Sequence, residues 1–219
     1  MSLADPRIYL ADIVALMSRP WPDNRTINIV AHGHSVPAGY FDTPVVDTFN
    51  AYPHLLHVRL KERHPNAVIN VIVTAIGGET SAGGADRFGR DVLPLRPDVV
   101  LVDYSLNDGS LGLECARQAW EKIIEQALAA QIKLILLTPT GDKRCHLDDP
   151  SDLLNQHAAQ VRQLAARFGL GLADSLSAFK AALSAGAKLD DLKSHVNHPN
   201  RQGHELVVTE LLKWFLWTN

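Results

Sequence analysis

Cysteine is scarce, with Cys115 and Cys145 the only two in 219 residues. Two cysteines set that far apart build neither a disulfide framework nor a thiolate metal site, and both are expected as free thiols. Long apolar runs are missing as well. None reaches the roughly 18 residues that a membrane-spanning helix needs, so no membrane partner is expected. Charge of one sign is also lacking: 21 basic and 24 acidic side chains mix along the chain for a net charge of −3. That balance offers no basic face to nucleic acid or to an anionic surface. No basic stretch precedes the first apolar segment, and Asp12 interrupts the run from Ile8 to Met17. No signal peptide is read, and the expected location is the cytoplasm. Repeats, linkers and low-complexity segments are absent too. A single domain over residues 1–219 is expected, with residues 1–25 as an N-terminal helical extension.

What is present is a hydrophobic fraction of 46%, enough for one sizeable core. A short amphipathic helix over residues 3–18 precedes a first strand, Ile27 to His32. Leu55, Leu56, Val58 and Leu60 fall in a helix opened by Pro53 and closed before Pro65. The β-branched run Ala67 to Thr74 reads as a strand buried on both faces, and a glycine-rich turn, Gly77 to Gly84, follows it. Val99 to Tyr104 is the third strand. Leu113 to Leu128 repeats at helical spacing, Ile132 to Thr138 is the fourth strand, and Asp149-Pro150 opens a helix that Gly169 stops. Leu170 to Ala173, a helix from Leu176 to Ala185, a polar loop from Lys188 to Asn197 and a helix opened by Asn200 complete the order. Strands alternating with helices this long imply βαβ units. The expected fold is a three-layer α/β/α sandwich on a central parallel sheet of about five strands.

In such a sheet the loops leaving the strands open on one edge. Ser35 follows strand one, in Gly33-His34-Ser35; Gly78 follows strand two; Asn107 follows strand three; His198 precedes the last helix. A hydroxyl, an imidazole and donors for a developing oxyanion are what acyl transfer requires. Gly78 can bring a backbone N–H close to a ligand because it has no side chain, Asn107 a side-chain amide, and Ser35 its own N–H.

The same four stretches resemble the blocks of the SGNH (GDSL-type) hydrolase superfamily. Ala31-His32-Gly33-His34-Ser35 is similar to its nucleophile block, and Ile76-Gly77-Gly78-Glu79-Thr80-Ser81 to the block with the oxyanion glycine. Ser105-Leu106-Asn107-Asp108 resembles the Gly-x-Asn-Asp block, and His195-Val196-Asn197-His198-Pro199 the Asp-x-x-His-Pro block. Order and spacing extend the likeness from about residue 27 to 210. The resemblance implies a flavodoxin-like fold and cofactor-free hydrolysis of a small ester, with Ser35 as nucleophile, His198 as base, and Gly78 and Asn107 at the oxyanion.

The chain departs from that pattern at three positions. His34 replaces an aspartate, Ser105 a glycine, and His195 stands where the triad's aspartate belongs. In a serine protease, damage to that carboxylate contact costs about 10⁴ in turnover. A substitute carboxylate (Asp190 or Asp191), a backbone carbonyl orienting His198, or a lapsed hydrolase are the three ways to read this. Two readings from other classes stand beside the esterase. One is a metal-dependent hydrolase using His32, His34, His195 and His198; the other is a catalytically silent ligand-binding module. Glu79 is expected to contact substrate or lie solvated, Asp108 to brace its turn, and His54, His57, His64 and His157 to sit on helix surfaces. The loop Val36 to Thr48 and the segment Gly109 to Gly112 are expected to shape the pocket. Trp214, Phe215 and Trp217 are expected to pack on the sheet or on a second copy, and oligomeric state is not readable.

Overall fold

The computed structural model describes residues 2–216. Five strands form one parallel sheet: β1 (Thr26–Gly33), β2 (Val68–Val73), β3 (Val99–Asp103), β4 (Lys133–Leu137) and β5 (Gly171–Ala173). Their spatial order is β2-β1-β3-β4-β5, the doubly wound arrangement of flavodoxin-like folds. The helices are α1 (Ala11–Met17), α2 (Ser35–Ala38), α3 (Tyr52–Arg63), α4 (Ser81–Asp91), α5 (Leu113–Ala129), α6 (Leu153–Phe168), α7 (Ser175–Ser184) and α8 (Arg201–Leu212).

Side-chain alternation along the strands builds the two outer layers. Ile27, Ile29, Val99, Leu101, Ile135 and Leu137 point to one side, where α1, α3 and α8 cover them. Val30, Val100, Val102, Leu134 and Leu136 point to the other, beneath α4, α5 and α6. The three inner strands are apolar on both faces because both faces are covered. The expected α/β/α sandwich is present.

Four expectations need correction. The run 67–74 is an edge strand, and Val68 and Val73 are 49% and 40% exposed; β-branched content makes a strand but does not say where in the sheet it lies. The glycine-rich segment is a turn only as far as Thr80. From Ser81 it becomes α4, whose Gly84 leaves space for the Tyr104 ring: a Cβ there would stand 2.3 Å from it. The first helix starts at Ala11 rather than near residue 3, and Leu10, Ile13, Val14 and Met17 belong to the main core. The helix expected after Asp149-Pro150 begins at Leu153, capped by the Asp152 carboxylate on the Leu154 N–H.

Trp214 and Phe215 close the same core, the Trp214 indole N–H donating to Leu172 O at 2.9 Å; Trp217 lies outside the described residues. Both cysteines are free. Among the described residues no helix is long and apolar enough to cross a membrane.

The turn that ends β1 is tight. A Cβ on Gly33 would lie 2.4 Å from Asp103 O, so only glycine lets the two strand ends approach. Gly33→Ala is expected to cost about 1–3 kcal/mol of stability, as overpacking does. Urea unfolding monitored by circular dichroism measures it, and an unchanged midpoint would contradict the packing.

Candidate active site

Three strand ends and one loop deliver the site. After β1 the chain turns at Gly33 into the one-turn helix α2, and His34 caps it, Nδ1 accepting from the Val36 N–H at 3.2 Å. The His34 N–H is fastened to Asp103 O at 3.2 Å, and its ring Nε2 lies 3.3 Å from Asp103 Oδ1. Ser35 therefore starts a helix whose neighbouring donor is already satisfied. After β2, Ile76 N–H bonds Gly33 O and Glu79 N–H bonds Ile76 O, closing a turn in which Gly78 takes φ +78°. That region suits glycine, and nothing lies within 4 Å of where a Cβ would be. After β3, Asn107 reaches back to give its side-chain Nδ2–H to Glu79 O at 3.0 Å.

His198 arrives on the loop before α8. Its Nε2 stands 3.0 Å from Ser35 Oγ and its Nδ1 2.7 Å from Phe41 O. A carbonyl only accepts, so Nδ1 carries the proton and Nε2 is left as the acceptor for the serine hydroxyl. Burial is the largest influence on this imidazole and lowers its pKa. The Phe41 carbonyl pushes the other way, and the positive charge that His195, His34 and Lys193 can carry adds to the lowering. The neutral ring is thus the stable form beside Ser35.

Both partners of this contact are held from behind. Phe41 sits in a small hairpin, Tyr40 bridging Val46 and Phe41 N–H bonding Val45 O. Its ring stacks on His204 at 5.3 Å. His204 is fully buried, its pKa lowered to about 3 by burial, and its Nδ1 accepts from the Tyr52 N–H. Beneath the His198 loop lies Lys193, with Nζ 3.2 Å from both Thr140 Oγ1 and Asn197 O and 4.9 Å from the Phe179 ring centre. Burial lowers its pKa to about 7.

Ser35, Gly78, Asn107 and His198 line one cleft of about 410 Å³ together with Tyr40, Thr43, Gly77, His195 and Asn197. Among the described residues neither the Ser35 N–H nor the Gly78 N–H has a protein acceptor, and one N–H of the Asn107 amide is still free. Among the described residues no carboxylate and no lysine or arginine lines the cleft.

The remaining candidates fall elsewhere. The Asp191 carboxylate accepts from the Lys188 N–H at 3.2 Å, and Asp190 pairs with Lys143, so neither meets His198. His195 is half exposed at the cleft rim, its ring centre 6.0 Å from that of His198 and its Nε2 4.0 Å from Asp42 Oδ1. The four-imidazole metal cluster does not form. His32 points beneath α4, its nitrogens meeting Thr74 Oγ1 and Gly84 O, and burial lowers its pKa to about 4. Among the described residues no three His, Cys, Asp or Glu side chains are arranged to hold a metal ion.

Glu79 neither lies solvated nor reaches the cleft: Arg87 and the Tyr104 hydroxyl hold its carboxylate. Asp108 does more than brace its own turn, accepting from Ser81 N–H and Trp120 Nε1–H and so joining α4 to α5. His64 and His157 are buried rather than at the surface, while His54 and His57 are half-buried and line a shallow surface cleft with Val58 and Lys61. The segment Gly109 to Gly112 does not line the cleft; Tyr40 and Thr43 of the other expected loop do. No side-chain pattern announces Phe41, because its contribution is a main-chain oxygen that any residue carries.

Comparison with known proteins gives the family and the fold. The model of the GDSL-like Lipase/Acylhydrolase family matches residues 31–206. The chain belongs to that family. Among solved structures, a two-domain esterase (CEX) active on acetylated mannans superposes with a TM-score of 0.75 at 20% identity. The match covers 94% of this chain and 52% of that one, so the chain spans about half the esterase's length. Axe2, an acetylxylan esterase from Geobacillus stearothermophilus, gives a TM-score of 0.76 at 19% identity, covering 88% of this chain and 95% of its own. At such identities the likeness is one of fold. No curated protein matches the chain.

Two outcomes follow for kinetics of ester turnover. The acid limb of kcat/KM is expected below the ordinary histidine value of 6.5, because the neutral ring is favoured, with full activity above it; a limb above 6.5 would contradict the burial argument. Asp191→Asn is expected to change kcat by no more than about twofold, as for an exposed residue without a role. A large loss would return a carboxylate to the base.

Proposed function

We propose that the protein is a serine esterase or acylhydrolase that cleaves a short acyl ester through an acyl-enzyme. The observation that carries this reading is the line of contacts from Ser35 Oγ through His198 to Phe41 O, at 3.0 and 2.7 Å. Ser35 Oγ attacks the ester carbonyl carbon as His198 Nε2 takes its proton. The N–H groups of Ser35 and Gly78 and the free N–H of Asn107 receive the oxyanion. The tetrahedral intermediate collapses, His198 returns the proton to the leaving alkoxide, and the alcohol departs. Water then attacks the acyl-serine, again giving its proton to His198, and the acid and free Ser35 result.

The third role in this mechanism belongs to the Phe41 carbonyl. It fixes the imidazole tautomer as a carboxylate does, but carries only a partial charge to set against the imidazolium. The reading is therefore a Ser-His dyad with a main-chain acceptor, and His195 and Asp191 take no part in orienting the base.

The cleft supports a small, uncharged substrate. Its lining is hydroxyl, amide and imidazole, and the Tyr40 ring lies against Gly77, where a Cβ would come within 3.0 Å of it. Acetyl groups on carbohydrate suit such walls, and the structural neighbours named above act on acetylated mannans and xylan.

Turnover of p-nitrophenyl acetate by wild type, Ser35→Ala and His198→Ala tests the reading. Each variant is expected to lose at least about a hundredfold in kcat. Three equally active or equally inert proteins would refute it, and tight binding of acetylated oligosaccharide without turnover would favour the silent module.

A further inference from the structure

We propose that Glu79 is the positioning residue of the oxyanion donors, acting from a pocket formed by Arg87 and Tyr104; the inference rests on the serine-esterase reading. All three polar groups of Glu79 are committed to the site's geometry. Its N–H closes the turn onto Ile76 O at 3.2 Å, which holds Gly78 at φ +78°. Its carbonyl accepts the Asn107 Nδ2–H at 3.0 Å. Its carboxylate takes Arg87 Nε at 2.8 and 2.9 Å and the Tyr104 hydroxyl at 2.9 Å.

The two donors that Glu79 touches are those supplied from outside the nucleophile turn. The Gly78 N–H lies inside the turn that the Glu79 N–H closes onto Ile76 O, so holding Glu79 in place holds that turn and the direction of the N–H. The Glu79 carbonyl also decides which way the Asn107 amide faces: an acceptor there demands nitrogen, and the second N–H of that nitrogen is then left for the cleft. The anchor is built for rigidity. Arg87 is 6% exposed and Tyr104 fully buried, and Arg87 also meets Tyr104 Oη at 3.1 Å and Asp91 Oδ2 at 3.4 Å. Gly84 lets α4 press against the Tyr104 ring, and Arg87, three residues on and on the same helical face, is thereby carried to the carboxylate. Other ion pairs, such as Arg90–Asp91 and Arg117–Glu114, lie on exposed helix faces away from the cleft.

A residue that acts through the oxyanion donors has a kinetic signature that general destabilisation does not. Glu79→Gln is expected to lower kcat about tenfold to a hundredfold with KM within about threefold. Made together with Asn107→Ala, it is expected to add less than the loss it causes alone, because one of the two donors it aims is gone. If Glu79→Gln does not fold, the same cycle is run with Tyr104→Phe, which removes one hydroxyl from the pocket and keeps the ring. An unchanged kcat, or losses that multiply in the double variant, would overturn the inference while Ser35→Ala stays inactive. Retained turnover in Ser35→Ala would overturn the serine reading and this inference with it.

Discussion

A histidine can serve as a base beside Ser35 only if one nitrogen is bare and aimed at the hydroxyl, and here that condition depends on the hydrogen bond from His198 Nδ1 to the Phe41 carbonyl. The bond sets the tautomer and the ring plane together. It also ties two parts of the chain that the sheet does not connect, the hairpin after α2 and the loop before α8. Neither is regular structure, so each is held by side chains. The Phe41 ring lies on buried His204, and the His198 loop wraps around Lys193 Nζ. A neutral imidazole and a lysine with a lowered pKa are tolerable there because burial disfavours charge.

The opposite wall is organised differently. A half-buried carboxylate and a buried guanidinium replace hydrophobic packing where the glycine turn leaves β2, since paired glycines have no side chains to hold it. Desolvating such a pair is expensive, and it often contributes little net stability while specifying one arrangement. One arrangement is what a set of N–H donors needs.

The sheet, its parallel sense and the four rim positions were legible from Ile27, Val99 and Ile132 onward, because strands covered on both faces are written as unbroken apolar runs. Ser35, Gly78, Asn107 and His198 were legible as a group because loops leaving parallel strands share an edge. Helix α4 was not, because Gly83 and Gly84 resemble a turn until the Tyr104 ring is seen occupying the space that Gly84 leaves. The role of Glu79 was hidden for the same reason, as its partner Arg87 lies on that helix. His64 and His157 looked exposed because helical spacing does not reveal which polar residue faces inward. A carbonyl was one of three readings for the partner of His198, and nothing pointed to Phe41, since contacts between irregular segments leave no period in the sequence.

A backbone carbonyl cannot be mutated away. Where a triad relies on aspartate, one codon change abolishes the contact; here any side chain at position 41 still carries the oxygen. The vulnerable property is instead the path of the hairpin from Tyr40 to Val46, so insertions and deletions there are damaging, as is loss of the ring that packs on His204. His195 stands at the cleft rim with its ring centre 6.0 Å from that of His198, so a change there alters the cleft wall and leaves the Phe41 contact in place.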